Sequence, residues 1–442
     1  MTDPTAAAPQ GPAETSRLRT CLAALADNPS LFWLILAAWT AKSILGHWNI
    51  WAPDLSAVYV AGWLWDHGQA GLIYSQPEGF FRFNPPDWDD ALARLGAAGR
   101  ESYPFIYPPV WAALMGPVTH WASPQAFFNG MAVLEVGLLA LSVLLARRLA
   151  GNPLPRMVWL LLSLLLLETT IPLRLALHHL QPSLLIAFLV LAAFERLRAG
   201  HQGLAGALLG LAVCIKLTPL VFVALLWPGR HYLTLAALVA VCALLGLTSL
   251  LIAGPAAHLA FLDALGKASE ASLLSSVNLS VRPAIEAGLA AIGQGQTELS
   301  TPNSLVVTPH HWVGPLCLLG LLLVPLWLAR RLRPLSDPTG FALLLMGLAA
   351  ATALFGPLGW QHYYVLPLLL LPALFARLRP SQALLAILPM LATTNLLTFL
   401  MKAAWPWPDA IYVWMAVPAW LALLAMTGLF VRPLGDRADH PC

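Results

Sequence analysis

Runs of about 17 to 25 apolar residues recur from residue 31 to residue 431, interrupted by short polar turns and by two long stretches at 49–123 and 254–311. A helix needs about 20 such residues to cross a hydrocarbon core. The pattern predicts spans at about 31–48, 124–147, 156–173, 181–196, 203–215, 217–230, 232–253, 312–330, 340–357, 361–377, 381–401 and 408–431, about twelve in all. Because a bilayer offers no partner for exposed backbone, these spans predict an all-α polytopic membrane protein. The apolar run Ile106 to Trp121 is broken by Pro108, Pro109 and Pro117 and reads as interfacial or re-entrant. The pair 203–215 and 217–230 is short for two spans. Its Gly203, Gly206 and Gly210, followed by Lys216-Leu217-Thr218-Pro219, predict two close-packed half-length helices meeting at Lys216.

Basic residues orient this pattern. Arg17/Arg19, Arg147/Arg148 with Arg156, Arg196/Arg198, Arg230, Arg330/Arg331/Arg333, Arg377/Arg379 and Arg432/Arg437 all fall on one side of a twelve-span chain. By the positive-inside rule that side is the cytoplasm, with both termini inside a plasma (inner) membrane. The four lysines (Lys42, Lys216, Lys267, Lys402), Arg174, Arg282 and the two long loops then belong to the outer half.

Composition agrees: of 442 residues 59% are hydrophobic and 10% charged, against about 25% charged in a soluble domain. Residues 1–30, rich in Ala, Pro and Thr, read as a disordered cytoplasmic tail, 31–431 as one transmembrane domain and 432–442 as a second tail. The net charge of +3 decides nothing here. Cys21, Cys214, Cys242, Cys317 and Cys442 show neither close pairs nor His/Cys ligand spacing, so neither disulfides nor a metal site is expected. No Walker loop, dinucleotide glycine fingerprint, HExxH or Gly-x-Ser-x-Gly occurs. Neither a cofactor nor a nucleic-acid partner is expected.

Polar residues inside so apolar a chain are the candidates for chemistry, since each is costly unless it faces a cavity. In the first outer loop, 54–67 reads as a short amphipathic helix on the interface, with Trp63 and Trp65 as anchors and Gly68 as its stop. Two readings of Asp54 stand: the N-cap of that helix, or a carboxylate held for chemistry. Tyr107-Pro108-Pro109 is equally a plain helix start. Arg174-Leu-Ala-Leu-His178-His179-Leu-Gln181-Pro182 puts one Arg and two His beside a span. Adjacent His residues diverge by about 100° on a helix, which argues against metal binding. Lys216 calls for an anion or else snorkels to the interface. Ser275 to Arg282 gathers hydroxyls, the Asn278 amide and a guanidinium, a set that suits phosphate oxygens. In Gly359-Trp360-Gln361-His362-Tyr363-Tyr364 an aromatic belt explains Trp360 and the tyrosines better than His362.

In this order the segments resemble glycosyltransferase family 87, polyprenol-phosphate-mannose-dependent mannosyltransferase-like members of the GT-C superfamily. The matching residues are Asp54 with Tyr59, Leu72-Ile73-Tyr74, Tyr107-Pro108-Pro109, Gly203 to Pro219, Asn278 to Arg282 and Trp360 to Tyr364, so the likeness covers about residues 30 to 430. The family tends to place Gly-Gln where this chain has Leu180-Gln181, and the 76–101 insert is long. The resemblance implies a GT-C-like fold and an inverting, metal-independent transfer of a hexose, with mannose first in line. The donor would be a polyprenyl-phosphate sugar and the acceptor a glycolipid or glycan hydroxyl on the outer face. Asp54 would be the base. Lys216, Arg282, Arg174, His179 and His362 would hold the donor phosphate, and Tyr59, Tyr107, Asn278, Trp360, Gln361 and Tyr363 would line the substrates. The rivals are a lipid-linked sugar flippase or transporter, an O-antigen ligase or polymerase, and a structural assembly subunit.

Overall fold

The computed structural model describes residues 25–77, 82–227, 229–270, 272–301, 304–330, 337–404 and 409–430. The expected tails, apart from 25–30, lie outside the described residues, as do Cys21, Cys442, Arg17, Arg19, Arg331, Arg333, Arg432 and Arg437.

The molecule is 76% helical, as a membrane protein of apolar helices should be. Among the described residues five helices are long and apolar enough to cross a membrane: Pro29–Gly46, Pro124–Leu149, Tyr232–Ser269, Pro338–Phe355 and Asp409–Gly428. The pair Ile171–His179 and Ser183–Arg198 makes a sixth if counted as one bent span. The remaining runs among the expected twelve are shorter or broken. The stretch 361–377, for example, divides into Gln361–Tyr364, Val365–Leu370, Leu371–Ala373 and Leu374–Arg377, with Pro367 and Pro372 interrupting the backbone ladder.

Cross-contacts show which helix ends lie together. Arg198 donates to the Arg148 carbonyl at 2.7 Å, Arg156 lies 3.9 Å from Asp27, and Thr339 donates to the Ala150 carbonyl at 2.9 Å. Arg377 pairs with Asp337, which caps the Pro338–Phe355 helix through Gly340. One end of the bundle is therefore basic, while the opposite end carries the Thr170–Asn395 bridge and the residues of the cavity described below.

Three expectations are corrected. The segment 217–230 is not an α-helix: Thr218–Leu225 is a 3-10 helix entered through Pro219. The glycines before it close-pack elsewhere, because a Cβ on Gly206 or Gly210 would strike the carbonyls of Thr234 and Leu238 in the Tyr232–Glu270 helix. That helix is 39 residues long and runs on to Glu270, past the expected end at 253, bending at Gly254 (φ 72°) before Pro255. One small sheet accompanies the helices without changing the all-α class. Ser272–Ser275, Thr297–Thr301 and Ser304–Val307 form an antiparallel sheet with Ser304–Val307 in the middle.

The first long loop, 49–123, has a core of its own. Trp63, Leu64, Ile73, Trp88, Leu92 and Phe105 are buried against one another within residues 57–112. Its helices at Pro109–Met115 and Val118–Trp121 are seven and four residues long, too short to span. Gly62 lets Met115 lie directly against the Pro53–Asp66 helix.

Candidate active site

Asp54 enters the site on the first turn of the Pro53–Asp66 helix. The helix starts at Pro53 with Ala52 as N-cap, and no side chain makes a cap bond. The cap reading of Asp54 therefore fails: its carboxylate accepts from the Gln181 amide at 2.5 Å. The helix start is pinned from behind, since the Ser56 hydroxyl donates to the Pro53 carbonyl at 2.7 Å and shares a hydrogen bond with the Ser102 hydroxyl at 2.8 Å. Tyr103 N–H also donates to the Pro53 carbonyl, at 3.1 Å.

Gln181 and His179 arrive on an elbow. The helices Ile171–His179 and Ser183–Arg198 meet at 113°, and Leu180 between them takes the left-handed conformation at φ 45°, ψ 50°. That conformation costs a Leu roughly 1–2 kcal/mol. Burial offsets it, because Leu180 is 3% exposed among Ala52, Leu55, Tyr59 and Phe128. A glycine would take this turn without strain, which gives the Gly-Gln pattern a physical meaning. The elbow thus sits on the helix that carries Asp54 and brings His179 Nδ1 to 3.8 Å from the carboxylate.

Lys216 ends the Gln202–Ile215 helix in an extended conformation, and its ammonium lies 4.0 Å above the Tyr363 ring. Among the described residues it has no ion pair. A free lysine at the end of an apolar helix is costly unless an anion completes it. His362 stands on the short helix Gln361–Tyr364, 5% exposed, its Nε2 buried without a hydrogen-bond partner.

These groups face one cavity of about 1820 Å³. Asp54, His179, Gln181, Lys216, Tyr107, Trp360, His362 and Tyr363 line it, and Leu217, Leu220, Phe261, Leu322 and Leu326 continue it as an apolar limb. Drug-sized pockets run to about 1,000 Å³, so the space suits more than one ligand or a long chain. The Asp54 side chain is 15% exposed. Burial pushes its carboxyl above the ordinary aspartate range, against the lowering pull of His179, the Gln181 hydrogen bond and Lys216. Among the described residues no group of three or more His, Cys, Asp or Glu side chains gathers as a metal site.

Other candidates fall off the cavity. Arg174 is exposed, and its charge is felt by Glu168, which also takes Lys42 at 2.7 Å. Arg282 holds buried Glu286 at 3.2 Å and donates to the Ser269 carbonyl at 2.5 Å. Tyr59 donates to the Ala122 carbonyl at 2.6 Å. Asn278 donates to the Leu273 carbonyl and accepts from Gly359 N–H, both at 2.8 Å. Gln361 donates to the Ser276 carbonyl at 2.7 Å and to the Tyr412 hydroxyl at 3.1 Å. Asn278 and Gln361 thus strap the second long loop, 254–311, to the segment that carries His362. Gln181 and Tyr103, both on the cavity wall, were missed as candidates. The one signal for Gln181 was the Gly-Gln pattern, whose Gln falls on it.

The family model of glycosyltransferase family 87 matches residues 105–357, more than half of the chain. The match includes His179, Gln181 and Lys216 and stops short of Asp54 and His362. No curated protein and no solved structure matches.

Proposed function

The chain belongs to glycosyltransferase family 87, and from that premise we propose that this membrane glycosyltransferase moves one hexose from a polyprenyl-phosphate carrier to an acceptor hydroxyl. Mannose is the first candidate sugar. The observation that carries the reading is the Asp54 carboxylate, oriented by an amide and sharing a cavity with the Lys216 ammonium and with His362, whose Nε2 is buried without a hydrogen-bond partner.

Asp54 takes the acceptor's hydroxyl proton as the oxygen bonds to the anomeric carbon. The bond from that carbon to the phosphate oxygen breaks on the opposite face, so configuration inverts. A lipid phosphate departs as an anion without protonation, so the pair of carboxylates used in glycoside hydrolysis is not needed. Lys216 meets the departing charge, with His362 and His179 beside it. Tyr107, Trp360 and Tyr363 offer ring faces to the hexose, and the apolar limb suits the prenyl tail. The bundle's basic end supports a cytoplasmic placement for that end and an extracytoplasmic one for the cavity.

The test is transfer of labelled hexose from a polyprenyl-phosphate donor by purified protein in detergent, which a flippase could not perform without a sealed membrane. The same assay reads pH. With the Asp54 carboxyl raised, the basic form is lost as pH falls through that raised value, so kcat/KM should decline on the acid side with a midpoint above about 3.9. A rate undiminished down to about pH 4 contradicts a buried carboxylate base.

Gln181 is expected to act as a positioning residue. Replacing it with Leu removes a hydrogen bond to a charged group, an interaction of about 1.5–3 kcal/mol, and should lower kcat by at least about tenfold with the donor KM unmoved. Equal changes in both constants would indicate general loosening of the elbow instead.

A further inference from the structure

Lys216 lines a second, smaller space as well. An annex of about 50 Å³ adjoins the cavity and shares Lys216, Thr218, Thr352 and Tyr363 with it, while Ser183 and a set of apolar side chains belong to the annex alone. Ser183 is 8% exposed, and its Oγ is buried without a hydrogen-bond partner. It is also the first residue of the helix Ser183–Arg198, which starts after Pro182 with no side-chain cap. The first N–H groups of a helix have no intrahelical acceptor and carry the positive end of its dipole. Tyr363, over whose ring the Lys216 ammonium lies, is on the annex wall too. The annex therefore joins a helix amino end to a lysine that has no ion pair among the described residues. No acidic side chain lines it among those residues, since Asp54 faces the main cavity only. Two positive ends with hydroxyls between them select an anion.

The volume decides which anion. Water occupies roughly 30 Å³ in the liquid, so about 50 Å³ admits a monatomic ion. A tetrahedral oxyanion carries four oxygens of about water's size and does not fit. We propose that the annex is a halide site, holding one chloride between the Ser183 hydroxyl, the N–H groups that begin its helix, and Lys216. An ammonium has three N–H donors, so Lys216 serves the chloride with one and keeps two for the cavity. A lysine in apolar surroundings is costly without a counter-charge, and the chloride supplies one on the side away from Asp54. The site needs no sugar and no lipid, so it is separate from the transfer reading.

The experiment melts the full chain in nanodiscs while chloride replaces gluconate at constant ionic strength, which leaves screening unchanged. A ligand bound only by the folded state raises the melting temperature saturably. Chloride should do so and bromide likewise, whereas sulfate should give no saturable rise. In Ser183→Ala the half-saturating chloride concentration should increase at least about tenfold, as fits the loss of a hydrogen bond to a charged partner. In Lys216→Met the chloride dependence should vanish. Tyr107→Phe, altered on the main cavity alone, should titrate like the parent protein. No saturable rise in the parent, or a saturable rise with sulfate as large as that with chloride, would overturn the site without recourse to any variant. So would a Ser183→Ala or Lys216→Met titration that matches the parent's, or a Tyr107→Phe titration displaced as far as that of Ser183→Ala. No sugar is transferred in these melts, so their failure leaves the transferase reading standing. A failed transfer assay, in turn, leaves the chloride titration interpretable.

Discussion

Asp54→Asn should reduce hexose transfer by about 10²–10⁴-fold, the usual contribution of a positioned base, with thermal stability near that of the parent protein. The expectation of intact folding has a specific ground. Asp54 makes no cap bond, and the start of its helix is held by Ser56, Ser102 and Tyr103 instead. Asparagine keeps an oxygen that can still accept from the Gln181 amide while losing the charge. Removing the carboxylate also removes negative charge facing Lys216 and His179, which favours an anionic donor. The fall should therefore appear in kcat, with the donor KM equal or lower. Asp54→Ala should show the same loss of rate. Full transfer by both variants, measured beside their melting curves, would sink the assignment of the base.

The second large effect is expected at Lys216. Lys216→Met keeps length and apolar contact with Tyr363 while removing the charge, and should lower kcat/KM for the donor by about 10²–10³-fold, the loss seen when one stabiliser of a developing anion is deleted. Lys216→Arg should retain more, because a guanidinium also stacks on an aromatic ring. The reading depends on charge, so raising salt should not rescue the Met variant. Donor saturation curves that coincide for the parent and Lys216→Met would take Lys216 out of the phosphate site.

Asp54, His179, Lys216 and His362 were legible in the sequence because an ionisable residue in an apolar chain has few inexpensive places to go. Gln181 carried no such signal. It is neutral, sits beside a proline, and finds its partner 127 residues away. Asn278 and Arg282 looked like phosphate ligands because a short polar loop has the same composition whether its donors face a substrate or their own backbone. The count of spans suffered from a related ambiguity. Hydropathy measures apolar length and does not register the breaks at Pro219, Leu180 or Gly254 that turn continuous runs into bent or short helices. The strands at 272–275 and 304–307 are too short for an alternating pattern to stand out.

The self-contained core of the first long loop bears on biogenesis. At about 5–20 residues per second, the ribosome needs roughly 6–25 s to pass from Asp54 to Gln181, and His362 follows later still. Trp63, Trp88 and Phe105 can bury one another without anything made after residue 112, so this part of the protein has the means to pack during that interval. The elbow then docks Leu180 against a surface already assembled. Ordered translation in this way spares a carboxylate, destined for a dry setting, from waiting inside an unfinished bundle.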